Sequence, residues 1–200
     1  MRKVRIEPYT KAVLKFICLA TLARRFDAGF LASTAHAQTA SAVDSNKINN
    51  VVKALETLKT AVIDYYGEYG SFPIGDNAFE STLEREGLVA KPPSLMNRSG
   101  NHSSDYHIRV MNAPPSTALV TATNAAYNFE GGLTNQATGS FVIETVIFNV
   151  TSKDARKLSL FIDGPKLSGP LGEADLRGRV KFGAASAKGI GEVHVYVTHH

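Results

Sequence analysis

The sequence contains a single cysteine, and its position limits the chemistry of the chain. Cys18 is the only thiol among 200 residues. A chain processed after this residue has neither a disulfide nor a thiol nucleophile, so its body must be held together by a hydrophobic core. The composition, 44% hydrophobic and 20% charged, is ordinary for one globular domain with an N-terminal appendage.

The body of the chain also lacks an excess of charge. The net charge is +4, but residues 1–37 hold seven Lys or Arg against two acids, and the remainder holds 15 basic and 16 acidic side chains. Nucleic-acid binding requires a basic stripe with interleaved aromatic residues. Arg177, Arg179 and Lys181 alternate along one segment, which is too small a ladder for that purpose. We therefore expect no nucleic-acid partner.

No apolar run matches the ~20 residues that a membrane-spanning helix needs. The run from Ala12 to Ala23 is shorter and is interrupted by Lys15, so it could span a membrane only if this lysine reached the interface. A basic segment precedes the run, and the order of the two is typical of an export signal.

The stretch "ASTAHAQ" offers an A-x-A cleavage site, with cleavage between Ala37 and Gln38. The sequence therefore predicts an export leader over residues 1–37 and a single domain over residues 38–200.

A stripe of apolar residues at spacings of three and four follows the leader and predicts a long amphipathic helix over about 44–66. Asp44 or Ser45 is the expected N-cap. At 1.5 Å per residue this helix is roughly 35 Å long. The stripe consists of Val43, Ile48, Val51, Val52, Leu55, Leu58, Val62, Ile63, Tyr65, Tyr66 and Tyr69.

The stretch "DYYGEYGSFP", residues 64–73, predicts the end of this helix. Gly67 and Gly70 can adopt the left-handed geometry that ends a helix, and Pro73 disfavours helix at Phe72. The three tyrosines of the stretch provide apolar rings whose hydroxyls reach water at the rim of a core.

A short second helix is predicted over about 77–87, with Phe79 and Leu83 on one face and Gly87 as its stop. A polar, glycine-rich loop follows at 97–105.

The remainder, residues 105–199, is predicted to be rich in β-strands. The expected fold class is α+β, a long N-terminal helix packed on an antiparallel sheet. The predicted strands are 105–111, 117–123, 140–150, 155–163, 176–182 and 191–199.

The patterns that carry chemistry are incomplete. Ser159 has no G-x-S-x-G elbow around it, and no G-x-x-x-x-G-K-[ST] loop occurs. His102, Asp105 and His107 do not have a zinc spacing, and Glu173 with Asp175 provides too few carboxylates for calcium. The sequence therefore predicts a protein that is not an enzyme and holds neither a metal nor a cofactor.

The segment "VVKALETLKTAVIDYYGEYGSFP", residues 51–73, resembles the end of the long N-terminal helix in type IV pilin-like proteins, especially the pseudopilins of bacterial type II secretion. The segment after it, "FESTLEREGLVAKPPS", is similar to the short helix and proline-marked loop of their heads. The resemblance covers residues 45–95. The family pattern is matched by Leu55, Leu58, Tyr65, Tyr66, Gly70, Phe72 and Pro73.

The resemblance implies a non-enzymatic structural subunit of a type II secretion or type IV pilus-type assembly. Its partners would be other pilin-like subunits or secretion-system proteins, and its leader would associate with the inner membrane. Its location would be the periplasm, the cell envelope or the exterior of a bacterium. The junction between helical stem and head would comprise Leu55, Leu58, Val62, Tyr65, Tyr66, Gly70, Phe72 and Pro73.

The resemblance also implies a second cleavage position, between Gly29 and Phe30. The family has a glutamate five residues into the mature chain, where this sequence has Thr34. A different function remains open beside this one: a secreted or periplasmic binding or adhesion module, which would use the polar loop at 97–105 and exposed strand edges.

Overall fold

A computed structural model describes residues 46–90, 106–186 and 191–200. The chain divides into two units, Met1–Asn46 and Lys47–His200, and the description concerns the second. The predictions that lie outside the described residues are the leader, the N-cap at Asp44 or Ser45, the cleavage positions at Gly29–Phe30 and Ala37–Gln38, and the whole polar loop at 97–105.

The described residues form a mixed helix and sheet structure, as the predicted α+β class requires. The four strands are all antiparallel and lie in the order β1-β2-β4-β3. The elements are α1 over residues 46–69, α2 Phe79–Arg85, β1 Tyr106–Asn112, β2 Phe141–Phe148, α3 Ser152–Ile162, β3 Val180–Phe182 and β4 Glu192–His199.

Helix α1 buries the middle of the predicted apolar stripe, whereas Ile63 and Tyr69 near its end are exposed. Ile48, Val51, Leu55, Leu58 and Val62 are all buried, and they share one hydrophobic cluster with residues of all four strands. Because burial of apolar area is the main favourable term in folding, this shared core stabilises α1, which would be only marginally stable alone.

Helix α1 ends at Tyr69, three residues beyond the predicted end at Tyr66. Gly67 is part of the helix. Gly70 adopts the left-handed conformation with φ 68°, and its amide donates to the carbonyl of Tyr66 at 2.8 Å. Gly70 alone is therefore the stop, because glycine has no Cβ to oppose a positive φ. Helix α2, in contrast, is shorter than predicted by two residues at each end.

The predicted strand at 155–163 is wrong, because this segment belongs to helix α3. Thr151 caps the helix, its hydroxyl accepting from the amide of Asp154 at 3.0 Å. Ala155, Leu158 and Ser159 are buried at helical spacing. A short apolar run is compatible with the period of a helix and with that of a strand. Here the N-cap and the burial of one helical face favour the helix.

Two further strand predictions are wrong in part or in full. Residues 117–123 form no strand and contribute only an isolated bridge between Leu119 and Thr134. In the predicted strand 176–182, only Val180–Phe182 pairs, because Gly178 has φ 79° and turns the chain before it.

The sheet buries both of its faces. Ile108, Ile143 and Val195 lie on the face that packs against α1 and α3. Val142 and Tyr196 lie in a second cluster on the other face, with Tyr127 and Ala137. We call residues 113–140 the cover segment, since it supplies those last two residues. In β4, Val193, Val195 and Val197 lie on the α1 face and His194 and Tyr196 on the other, which is the alternation that their sequence predicts. Thr198 lies beyond a register shift and pairs with Ile143.

Candidate functional site

A cluster of aromatic rings lies where α1 ends. Phe72 is buried and its ring centroid lies 5.0 Å from that of Tyr66, 6.1 Å from Phe79 and 6.2 Å from Phe141. Tyr65 packs edge-on against Phe79 at 4.9 Å. Edge-to-face and offset pairs of this kind add about 0.5–1.5 kcal/mol beyond the burial of their area. The cluster therefore fixes the end of α1 to α2 and to β2.

The structure brings together part of the predicted junction. Tyr65, Tyr66 and Phe72 meet in the aromatic cluster, and Pro73 follows half-buried beside it. Leu55, Leu58 and Val62 precede the cluster in the sequence and are buried along α1.

Phe79, Phe141 and His200 also belong to the cluster, and the His200 ring stacks on Tyr66 at 4.2 Å. The sequence predicts Phe79 as a buried residue of the second helix but not as part of the junction. Phe141 lies in a distant strand, and sequence spacing alone cannot show that it contacts the end of α1.

A buried polar network, which the sequence patterns did not predict, lies between the sheet and the cover segment. Glu144 of β2 is fully buried and bonds with Arg109 of β1. One oxygen of Glu144 lies 2.9 Å from Nδ1 of His194, and the other accepts from the Tyr127 hydroxyl at 2.6 Å. Glu192 lies 3.2 Å from Nε2 of the same histidine.

Lys181 of β3 adds a second cation to this network. Its side chain is fully buried and its ammonium lies 4.1 Å from the centre of the Tyr127 ring. The same Nζ donates to the carbonyls of Asn124 and, at 3.1 Å, of Ala126. The lysine therefore joins the central sheet to the cover segment.

Burial and charge act in opposite directions on these groups. Burial raises the pKa of Glu144, but the hydrogen bond and charge of His194 and the charge of Lys181 outweigh it and hold that pKa below its usual range. Burial lowers the pKa of Lys181 to about 8, although the Glu144 carboxylate opposes this. Burial raises the pKa of Tyr127 well above its ordinary value.

The centre of the network is closed to solvent, although Arg109 and Glu192 at its margin are partly exposed. Glu144 and Lys181 are 0% exposed and His194 is 1% exposed. A general acid or base must reach the proton that it transfers. These groups instead bond to one another and to the backbone of the cover segment, so the arrangement holds this segment on the sheet.

A second buried cluster fixes the loop that follows α3. The Ser159 hydroxyl donates to Asp175 at 2.7 Å, and the amide of Gly169 donates to the same carboxylate oxygen at 2.9 Å. Ser159 and Asp175 are 0% and 2% exposed. Asp175 therefore belongs to a structural turn, as predicted, and Ser159 is not placed as a nucleophile.

Acidic side chains occupy the outer edges of the sheet. On β1, Glu80 of α2 accepts from the amide of Ile108 at 2.7 Å and lies 2.8 Å from Nδ1 of His107. Beside β3, Asp163 accepts from the amides of Arg179 and Val180, each at 2.8 Å. A Cβ at Gly178 would overlap the Asp163 carboxylate, so this approach requires glycine. Backbone donors that would recruit another strand are occupied at both edges.

Two neighbouring grooves open on the side of the molecule that carries β4 and α3. The first, the α1–α3 groove, has a volume of about 290 Å³ and is lined by Lys59 of α1, Phe161 of α3 and Arg179, among others. The second has a volume of about 340 Å³ and shares Ile162, Arg179 and Tyr196 with it. Phe161 is 56% exposed, which is unusual for a large apolar side chain.

Within the described ranges, no group of three or more His, Cys, Asp or Glu is placed to hold a metal ion. In the same ranges, no helix has the length and apolar character needed to cross a bilayer. Comparisons of the chain with protein-family models, with curated proteins and with solved structures gave no match.

Proposed function

We propose that this protein is a non-enzymatic, pseudopilin-like structural subunit of a bacterial type II secretion or type IV pilus-type assembly. The observation that carries the proposal is the joining of stem and head. Helix α1 buries Ile48, Val51, Leu55, Leu58 and Val62 in the core of the sheet and stops at Gly70 beside an aromatic cluster. This arrangement lets α1 transmit a position or a load directly to the head.

The order of elements supports the proposal. A long helix followed by a short helix is the order that the resemblance over residues 45–95 implies, and a four-stranded antiparallel sheet, with α3 between β2 and β3, comes after them. On this proposal the chain is exported, its leader brings it to the inner membrane, and its partners are other pilin-like subunits or secretion-system proteins.

The closed polar network supports a structural role. Ionisable groups with shifted pKa values mark active sites when they line a cleft. Here Glu144, His194 and Lys181 are shut between the sheet and the cover segment. Their hydrogen bonds are made within the protein, so the network contributes rigidity to the head.

The second candidate is a secreted or periplasmic binding module with no assembly role. The two grooves favour it, since concave apolar sites are where ligands bind. The version of this hypothesis that uses exposed strand edges loses support, because Glu80 and Asp163 occupy the amides of Ile108 and Val180.

The two candidates differ in the state of the protein in its own cells. We expect the mature protein to fractionate with the inner membrane and to be cross-linked into a high-mass complex by a short amine-reactive reagent. Sequencing of the mature N-terminus accompanies the assay: a start at Phe30 fits prepilin-type processing and a start at Gln38 fits ordinary export. A freely diffusing monomer that begins at Gln38 would refute the proposal and favour the binding module.

A further inference from the structure

The two edges of the sheet carry opposite charge. Residues 62–90 contain six carboxylates, two of which, Asp76 and Glu80, accept from backbone amides. The single basic side chain of this segment, Arg85, lies 3.1 Å from Glu86. Helix α2, in the middle of this segment, packs against β1, and Glu80 bonds to its backbone. The β1 edge is therefore acidic.

The opposite edge is basic. Residues 151–182 contain six Lys or Arg besides the buried Lys181, and four acids, of which Asp163 and Asp175 turn their carboxylates inward onto backbone amides. Helix α3 packs against β3, which is the other edge strand. The α1–α3 groove opens on this side, and its charged lining residues are Lys59, Glu56 and Arg179, the last of which lies 3.6 Å from Asp163.

The acidic edge also presents an aromatic ring. Tyr69 is 44% exposed, stacks on Tyr65 at 4.4 Å and donates its hydroxyl to Glu86 at 2.7 Å. Glu68 lies close enough to act on the Tyr69 hydroxyl electrostatically. We call Glu68, Tyr69, Glu84 and Glu86 the acidic patch.

The acidic patch and the side of the molecule that carries the groove have opposite net charge. An exposed aromatic ring among carboxylates on one edge corresponds on the other to an open groove with apolar lining residues, next to the basic side chains of residues 151–182. Tyrosine is a frequent anchor at protein interfaces, and complementary charge steers association and fixes its register. Because carboxylates already occupy the edge amides of Ile108 and Val180, such a contact would be made by side chains rather than by strand addition.

We propose that the α1–α3 groove binds the acidic patch of a second copy of this chain. The inference rests on the proposed function, whose partner it names and whose contact surface it defines. Since the two surfaces lie on opposite edges of one molecule, the contact is heterologous, and each copy has one free patch and one free groove for the next.

The test is sedimentation velocity of the full-length protein, compared with single variants on each surface. We expect reversible self-association at low salt that weakens at high salt, because exposed charge pairs are screened. Lys59→Glu in the groove and Glu68→Lys in the patch should each weaken self-association about tenfold or more. Phe161→Ser, which leaves the charge unchanged, should weaken it as well.

Lys53→Glu is the matched control, since it makes the same charge change on α1 but does not line the groove. It should leave the association constant within about threefold of the parent. Circular dichroism melting of each variant establishes that the fold is kept.

A mixture of Lys59→Glu and Glu68→Ala gives the sharpest result, because the two altered surfaces cannot form a new pair of opposite charges. Each variant retains one intact surface, so the mixture should form dimers and nothing larger. Three results would overturn the inference: a monomeric parent at low salt, equal effects of Lys53→Glu and Lys59→Glu, or a mixture that stays monomeric.

This outcome is separate from that of the proposed function. If the protein occurs in a high-mass complex in cells but substitutions on the two surfaces do not change its self-association, only the inference is contradicted. If it associates through the two surfaces but diffuses freely after export, only the proposed function is contradicted.

Discussion

Every strand places an ionisable side chain on the face of the sheet that the cover segment overlies. Arg109, Glu144, Lys181 and His194 come from β1, β2, β3 and β4. Taking charges out of water costs several kcal/mol per ion, and their mutual bonds offset this only when geometry is good. Here the hydroxyl of Tyr127 and the carbonyls of Asn124 and Ala126 form hydrogen bonds that offset part of this desolvation cost. The buried charges therefore need the cover segment as a hydrogen-bonding partner, and the cover segment is held on the sheet by these charges.

Lys181 should make stability depend on pH above pH 8. Its pKa in the folded protein is about 8, against 10.5 ordinarily. Below pH 8 the lysine is protonated in both states and the folded state bears the full cost of burying the charge. Between pH 8 and 10 the unfolded chain keeps the proton and the folded protein loses it, so the free energy of unfolding should rise by about 1–2 kcal/mol.

Urea unfolding of the parent and of Lys181→Met, at half-unit steps from pH 8 to 10, measures this rise. Lys181→Met should not show the rise in the free energy of unfolding between pH 8 and 10, whatever its absolute stability. Lys166→Met, which replaces an exposed lysine, is the control and should show the same rise as the parent. Identical slopes for all three proteins would show that Lys181 is not buried as a charge.

Thr145 is a residue at which the core is imperfect. Its side chain is fully buried, and among the described residues its hydroxyl has no hydrogen-bond partner. A buried hydroxyl without a partner costs about 1–3 kcal/mol. Thr145→Val should therefore raise the free energy of unfolding by about 1 kcal/mol, as measured by denaturant titration.

Thr145→Ser provides the comparison, because it keeps the hydroxyl and removes a methyl group. It should destabilise the protein by about 1 kcal/mol. If Val destabilised the protein and Ser did not, the hydroxyl would have to be bonded.

At the scale of elements, the best predicted parts are those with a strong period and a matching stop. The helical period of α1 is confirmed at its buried residues, such as Leu55 and Leu58, although Ile63 and Tyr69 of the predicted stripe are exposed. The strand period of β4 is confirmed at Val193 and Val195. Segment 155–163 was misread as a strand. The run "KLSLF" fits both periods, and the decisive Thr151 cap lies outside it.

The polar network could not be located by pattern alone. A single charged residue within an apolar strand, as in "VIETV" or "VHVYV", looks like a solvent-facing position. Whether that face is covered depends on residues 113–140, whose Tyr127 and Asn135 are placed by hydrogen bonds between side chain and backbone. Such bonds leave no periodic signal in the sequence.

The end of α1 gives a paired prediction at the scale of the element. Gly67 lies within the helix and nothing is within 4 Å of a Cβ built there. Gly67→Ala should stabilise the protein by about 0.5–1 kcal/mol, since alanine restricts the unfolded chain and favours helix. Gly70 has φ 68°, so Gly70→Ala should destabilise it by about 1–2 kcal/mol.

Thermal melting of the two variants measures both changes. The opposite signs are the essential result, since both glycines belong to one short stretch of sequence. Destabilisation by Gly67→Ala would place the end of the helix before Gly67, as the sequence pattern first suggested.

At the scale of the whole molecule, the structure combines closed sheet edges with an open groove and an attached stem. Glu80 and Asp163 protect the edges from strand pairing, a recognised route to aggregation. Contacts with partners are left to helices and side chains. This division suits a subunit that must join an assembly in one register.

The account depends on α1 and the sheet sharing one core, and amide hydrogen exchange measures this most directly. Exchange of the purified protein, followed by mass spectrometry, should show residues 48–62 opening with the same free energy as β2 and β4. The two are expected to melt together, because their side chains lie in one hydrophobic cluster. Exchange of this segment at the rate of an isolated helix, while the sheet stays protected, would contradict both the shared core and the structural role assigned to it.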